Sequence, residues 1–265
     1  MYLDFFNLKT SPFNITCDPE FFFESSSHRE ALGVLSYGIQ EKKGVILLTG
    51  EVGTGKTMVS KILLSRLDRS VKVSAVFNNY FNEGELLRAI VEDFGLRIWR
   101  KSRLELVKRL NNFLIEISLR GGNAVLIIDE AQNLTALQLE QVRLLSNLET
   151  SKEKLLQIVL VGQPELVEKL NKHKLRQIRQ RIFVKYHIRP LEESEVKDYI
   201  EFRLKKVSAF NIDILPECYK MIYEFSGGIP RLINLVCDRA MLYAFLRERS
   251  IFDEEVLRNC IEEVR

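Results

Sequence analysis

The chain has little of what would betray its work at a glance. Only 13 of its 265 residues are glycine and six are proline, while 46% are hydrophobic, so the chain can bury a real core and disorder is not expected. Its four cysteines, Cys17, Cys218, Cys237 and Cys260, stand far apart with no CxxC pair, and the three histidines, His28, His173 and His187, sit near none of them. Neither a zinc site nor a disulfide framework is expected from that spacing; buried thiols in a reducing compartment are. No apolar run approaches the ~18 residues that a membrane-spanning helix needs. The opening MYLDFFNLKTSPF carries acid early and lacks the basic-then-apolar plan of a secretion signal, so a cytosolic chain is expected. Charge of either sign is also lacking in excess: 39 Lys and Arg oppose 36 Asp and Glu, a net of +3. That excludes a bulk electrostatic pull toward nucleic acid or membrane, and any basic site must be local.

What is present is a change of hydrophobic period. Up to about residue 190, short apolar runs rich in β-branched residues, at 45–49, 71–77, 124–129, 156–162 and 182–188, alternate with stretches whose apolar residues recur every three or four positions. Continuous apolar strands separated by amphipathic helices predict a mostly parallel sheet covered by helices on both faces, a three-layer αβα sandwich. From Leu191 onward the strands stop and four helical patterns follow, at 193–207, 216–226, 230–246 and 253–263. The expected organisation is a core over residues 1–190, including an aromatic segment at 1–30, and a small all-helical unit over 191–265. In the joint SGGIPR, glycine closes one helix in a left-handed conformation and Pro230 occupies the first turn of the next.

The scarce glycines cluster at one place. Gly50, Gly53 and Gly55 fall within GEVGTGKT, directly after the apolar run VILLT and before an amphipathic helix. The pattern G-x-x-x-x-G-K-[ST] is a phosphate cradle: glycines let the loop curl so that backbone N–H groups point inward, and the following helix adds the positive end of its dipole. Residues Gly50, Glu51, Val52, Gly53, Thr54, Gly55, Lys56, Thr57 and Met58 form the binding set. Lys56 reaches the β- and γ-phosphates as a point charge, and the Thr57 hydroxyl completes the shell of a Mg²⁺ ion.

A second motif is AVLIIDEAQNL. Asp129 falls at the carboxyl end of a buried strand, where ligands bind in open α/β sheets, and is the second candidate for the metal. Glu130 is the candidate general base; alternation along the strand is expected to aim the two carboxylates apart. The intervening length, holding the run at 71–77 and two helices, predicts one strand between the two motif strands. Gln163, ending LQIVLVG, offers an amide to the γ-phosphate or the attacking water, or else caps a helix. The basic segment KHKLRQIRQRIFVKY carries Arg176, Arg179 and Arg181. An arginine that cannot reach its own nucleotide can complete a neighbour's site; Arg181 is the first candidate and Arg179 the second. Arg231 opens a helix of the small unit and is placed to fold over the phosphates.

Taken together, GEVGTGKT, LIIDEAQNL, LVGQPEL, RQRI, SGGIPRLINLVCDRA and the opening YLDFFNLKTSPFNITCDPEFFFES resemble the AAA+ ATPases of the ExeA type, found in general secretion and in pilus or exopolysaccharide systems. The resemblance implies a P-loop NTPase core with a helical AAA+ lid, ATP bound between them, and assembly into a dimer or ring. By position it makes Lys56 and Thr57 the Walker A pair, Asp129 and Glu130 Walker B, Gln163 sensor 1, Arg181 the finger and Arg231 sensor 2. It gives Tyr37, Gly38 and Ile39 a role at the adenine, whereas the residues alone read as a helix packing face. Many secretion members continue into a membrane span and a peptidoglycan-binding region; this chain stops at Arg265, and a cytoplasmic motor or switch is expected, acting at the inner membrane through a protein partner. The alternative is a nucleotide-switched DNA-binding adaptor, resting on the basic run RIWRKSR, Arg97 to Arg103. A nucleotide-binding scaffold without turnover is the third reading, against which Glu130 argues.

Overall fold

The computed structural model describes residues 2–77, 81–98, 102–209 and 212–264. In chain order the elements are α1 (Tyr2–Phe5), α2 (Ser26–Gln40), β1 (Val45–Gly50), α3 (Lys56–Arg66), β2 (Val71–Val76), α4 (Glu83–Asp93), α5 (Arg103–Leu119), β3 (Asn123–Ile128), α6 (Ala136–Leu145), β4 (Gln157–Gly162), α7 (Pro164–Asn171), α8 (Arg176–Arg179), β5 (Ile182–Ile188), α9 (Glu193–Lys206), β6 (Asp213–Ile214), α10 (Pro216–Ser226), α11 (Pro230–Leu246), β7 (Ile251–Phe252) and α12 (Glu254–Val264). Packing divides them into two compact units, 28–50 with 59–188, and 1–27 with 51–58 and 189–265.

The first unit is built on a five-stranded sheet of order β2-β3-β4-β1-β5 in which every pairing is parallel. β1 and β4 are buried along their whole length, as expected of strands covered on both faces. Val45, Leu47, Leu126, Ile128, Ile158 and Leu160 point to one face and form a single core with residues of α4, α5, α6 and α7. α2 covers the other face, where Gly38 lets its backbone approach Ile46: a Cβ there would stand 2.6 Å from Ile46 Cδ1. α3 lies on the same side, since Ile39 and Leu63 line one cavity. The architecture is the expected helix–sheet–helix sandwich. One strand does separate the two motif strands, but it is β4, not the run at 71–77. That run, β2, is interrupted by Lys72 and Ser74, alternates in burial, and lies at the sheet edge, where charged side chains belong. β5, with Lys185 and His187, closes the opposite edge.

The second unit packs α9 to α12 around Ile200, Ile222, Ile233, Val236 and Leu257. It is not all-helical as expected. β6 and β7 form a two-residue parallel pair, Asp213 with Ile251 and Ile214 with Phe252, too short to show a period of two in the sequence. The joint behaves as expected: Gly227, at φ 56°, caps α10, and Pro230 stands in the first turn of α11. The N-terminal segment, expected with the core, packs here instead. Phe6, Leu8 and Phe13 enter this unit's apolar core. The buried Arg203 guanidinium donates to the carbonyls of Pro12 and Asn14, at 2.5 and 3.1 Å, and stands 5.0 Å from the Phe21 ring centre. A guanidinium has five donors and no acceptor, so it ties an irregular strand of backbone that has no sheet to bond with.

Candidate nucleotide site

The glycine loop lies in the second unit. Gly53 and Gly55 take φ values of 86° and 94°, the left-handed region that L side chains avoid, whereas Gly50 is the last residue of β1. Two of the three clustered glycines are therefore required by backbone conformation. Gly53 is doubly constrained: a Cβ there would stand 2.6 Å from Arg231 Cβ and 3.1 Å from Ile229 Cγ2, and its carbonyl accepts the Arg231 backbone N–H at 3.3 Å. The loop and the start of α11 thus touch where the sequence placed Lys56 and Arg231 in one role. The Glu51 carbonyl accepts from the Lys56 ammonium at 2.8 Å and from the Thr54 hydroxyl at 2.8 Å, drawing the loop into a tight arch. Thr54 and Lys56 are buried, while Glu51, Val52 and the Arg231 side chain are exposed. Thr57 and Met58 continue as the first turn of α3.

The acidic motif lies in the first unit, at the carboxyl edge of its sheet. β3 ends at Ile128. Asp129, 2% exposed, is held by its N–H to the Val76 carbonyl at 2.9 Å, and its Oδ1 accepts the Glu130 N–H at 2.8 Å. Glu130 is not a strand residue. It sits at φ 50°, ψ 37° and opens a short 3-10 turn, Ala131–Asn133, so the strand alternation expected to aim the two carboxylates apart does not extend to it. A left-handed glutamate is uncommon, and such conformations gather at functional sites. Gln163 follows β4, and its side chain does not cap α7; its Nε2 donates to Glu130 Oε2 at 3.3 Å.

Two further residues that no motif marks, Gln132 and Lys169, complete this cluster. Gln132 donates to Glu130 Oε2 through Nε2 and accepts the Gln163 backbone N–H on Oε1 at 3.1 Å, bridging the two motifs. Gly162 makes room for it, since a Cβ there would meet Gln132 Oε1 at 2.9 Å. Lys169, on α7, donates to the carbonyls of Gln132 and Leu134 and staples the turn. Only the spacing of Gln132, two residues past a carboxylate on a tight turn, would have pointed to it.

The remaining candidates separate. Arg181 precedes β5 at its amino end, the end of the parallel sheet opposite Asp129 and Gln163. Arg179 instead donates to Asn171 Oδ1 at 3.3 Å, and Arg176 lies 3.2 Å from His173 Nε2, so both are engaged locally. Ile39 is buried and Gly38 is packed against Ile46, which are packing roles; Tyr37 is exposed with the Lys43 ammonium 5.6 Å from its ring centre. In the basic run, Trp99, Arg100 and Lys101 lie outside the described residues. Of the cysteines, Cys17 is exposed, contrary to the expectation of burial, while Cys218, Cys237 and Cys260 are buried. No group of three or more His, Cys, Asp or Glu suited to a metal, and no helix long and apolar enough to cross a membrane, occurs among the described residues.

The chain is similar to known proteins in sequence and in fold. A family model described as an AAA domain matches residues 39–170. General secretion pathway protein A of Aeromonas hydrophila is 44% identical over 248 residues, 93% of this chain but 45% of that protein, so the chain spans about half the length of that relative. Among solved structures, Cdc6p of Pyrobaculum aerophilum superposes with a TM-score of 0.69 at 17% identity, covering 99% of this chain and 71% of that one. The ADP form of the Aeropyrum pernix ORC2 protein gives 0.67 at 17% identity, with 98% and 72% covered. The Thermotoga maritima RuvB Holliday junction branch migration motor gives 0.60 at 18% identity, with 92% and 73% covered. At such identities these structures speak for the P-loop fold alone; with the motifs and the AAA-domain match, the chain belongs to the AAA+ ATPases, in the company of general secretion pathway protein A.

Proposed function

We propose that this chain binds ATP with magnesium and hydrolyses it, and that it supports an envelope machine of the secretion, pilus or polysaccharide-export kind through nucleotide-dependent self-association. The observation that carries the hydrolytic part is the Glu130 carboxylate, held in a left-handed turn beside buried Asp129 and accepting from both Gln132 and Gln163. A solvated acidic turn needs no such support. The loop fits a polyphosphate: Gly53 and Gly55 adopt left-handed conformations that let the backbone curl, and α3 adds its dipole. Lys56 trades its Glu51 carbonyl for phosphate oxygens, and Arg231, whose backbone is fixed against Gly53, brings a guanidinium to the same anion. Bound magnesium, with Thr57 and Asp129 as its protein partners, would neutralise charge on the phosphate oxygens. Glu130 takes a proton from the attacking water, and Gln163 orients that water while fixing the carboxylate. Arg181, at the far end of the sheet, serves a second copy's nucleotide.

The envelope assignment rests on the identity with general secretion pathway protein A, and it implies cytoplasmic action at the inner membrane through a protein partner. No observation favours the DNA-binding reading. Hydrolysis is tested by phosphate release from the Glu130→Gln protein: ATP affinity should persist while the rate falls roughly 10²- to 10⁴-fold. Unchanged turnover removes Glu130 from its role, whereas ATP binding with no turnover by the parent leaves the scaffold reading standing.

A further inference from the structure

β5 closes the sheet of the first unit, and among the described residues no strand pairs with its outer edge. An edge strand presents backbone N–H and C=O groups that a further extended chain can take up. The opposite edge is met by the chain itself: Asp93, the last residue of α4, accepts the Ala75 N–H of β2 at 2.7 Å. β5 is built differently. Its register with β1 passes from Ile182 opposite Val45 to Val184 opposite Ile46, so Phe183 is the extra residue of a bulge. A bulge interrupts regular pairing, which leaves residues 184–188 as the stretch along which another strand can lie.

Beside that stretch, on the face of the sheet that carries Leu47, is a cavity of about 270 Å³. Leu47, Leu170 and Ile182, all buried, give it an apolar floor, and Val167 stands exposed at its mouth. Arg179, Lys185 and His187 occupy the rim, all three exposed. Arg179 donates to the amide oxygen of Asn171 at 3.3 Å, and His187 Nδ1 lies 3.1 Å from the Thr49 hydroxyl oxygen. Those partners carry no charge, and no carboxylate lines the cavity among the described residues. An apolar floor under a cationic rim suits an apolar group flanked by acid.

Strand geometry lets one partner meet both features. Alternate side chains of an extended segment face the same side. A segment laid along 184–188, with an apolar residue between two acids at alternate positions, sets the apolar group over the cavity and the acids beside the cations. Lysine at a sheet edge also guards against pairing of like with like: two copies of β5 set edge to edge would oppose the same cations. An acidic strand meets no such penalty, so charge selects a foreign segment over a second copy.

We propose that the β5 edge docks an extended acidic segment of a protein partner by strand addition, with one apolar side chain of that segment entering the cavity and its acids meeting Lys185 and Arg179. The proposal goes beyond the ATPase reading and stands apart from it, since neither Lys185 nor the cavity floor takes part in holding nucleotide. Main-chain bonds to β5 supply affinity, while the cavity and its rim select the sequence.

The test is a fluorescence-anisotropy titration of the full chain with a dye-labelled peptide whose alternate residues read glutamate, valine, glutamate, with threonine between them. Saturable binding is expected. Lys56→Ala protein should bind the peptide as the parent does, which separates this result from any failure of the ATPase reading. Lys185→Glu, a change at an exposed side chain checked for folding by a thermal melt, should weaken binding roughly three- to tenfold, and a peptide with lysine in place of glutamate should recover it. Methylation of one alternate set of the peptide's backbone nitrogens should abolish binding, while methylation of the other set should spare it, because an added strand bonds along one edge only. Serine in place of the valine should also weaken binding. No saturable binding by folded parent protein, indifference to Lys185→Glu, or full binding by both methylated peptides overturns the proposal. Self-association of the protein that the peptide dissolves would give the edge to a second copy. Retention of a single-stranded oligonucleotide but not the peptide, lost in Lys185→Glu, would give the rim to nucleic acid. Either of these results also overturns it.

Discussion

Gly53→Ala isolates the loop geometry from the loop chemistry, because it adds one methyl group and removes no donor, acceptor or charge. The residue sits at φ 86°, and an L side chain held in that region costs about 1–2 kcal/mol. The added Cβ would also stand 2.6 Å from Arg231 Cβ, about 1 Å inside the ~3.5–4.0 Å at which carbon atoms attract. Relief requires either that the loop abandon its arch or that the start of α11 move away from it. A loop is the softer of the two, so the penalty falls on the binding-competent conformation more than on the fold. A cost near 2 kcal/mol corresponds to roughly 10- to 30-fold weaker ATP binding at about 1.4 kcal/mol per tenfold. Equilibrium titration with a fluorescent ATP analogue reads this directly, with a thermal melt alongside. Gly33→Ala is the control. Gly33 lies in α2 with nothing within 4 Å of the Cβ it lacks, so alanine there should leave affinity alone and raise stability by about 0.5–1 kcal/mol. ATP binding by Gly53→Ala within twofold of the parent would refute the steric reasoning.

Other perturbations test other parts of the account. Gln132→Met keeps the side-chain length but deletes the donor to Glu130 and the acceptor for the Gln163 N–H; turnover should drop roughly tenfold or more at unchanged ATP affinity, and an unaltered rate would show that the bridge does not position the carboxylate. In the native protein one thiol, Cys17, should react readily with a soluble alkylating reagent, since the other cysteines are buried; native labelling of a second thiol at the same rate would contradict the packing of the helical unit. Burial pushes the Cys218 and Cys260 thiols up to about 11 from an ordinary 9.0, and Cys237 further still. The unfolded chain therefore releases protons that the folded chain retains, so stability should decline as pH climbs past about 9. Denaturant titrations on either side of that value measure the slope, and a stability that rises there would contradict it.

Much of this was legible because its causes are local. An apolar run followed by glycine, lysine and threonine admits few conformations, and β1, the loop and α3 lie where the pattern put them. The αβ alternation likewise reports burial on both faces, which is a property of single strands. Sheet order is not local, yet it left a trace: Lys72 and Ser74 in β2, and Lys185 and His187 in β5, mark the two strands at the edges. The β6–β7 pair is too short for any period to reveal. The seat of the N-terminal segment depends on Arg203 reaching carbonyls 189 and 191 positions away, a match of one donor fork to two backbone groups that composition cannot show. At the site, the sequence named Asp129, Glu130 and Gln163 but not what joins them. Gln132 and Lys169 act through contacts across 31 to 37 positions, and nothing in their immediate neighbours distinguishes them from ordinary polar residues.

The most direct test of the central claim is ATP uptake by folded protein in the presence of magnesium, compared between the parent chain and Lys56→Ala. The account predicts saturable binding of one nucleotide per chain by the parent and its loss in Lys56→Ala, with both proteins melting as cooperative folds. Saturable binding that survives Lys56→Ala undiminished, or no binding by a well-folded parent, would contradict it.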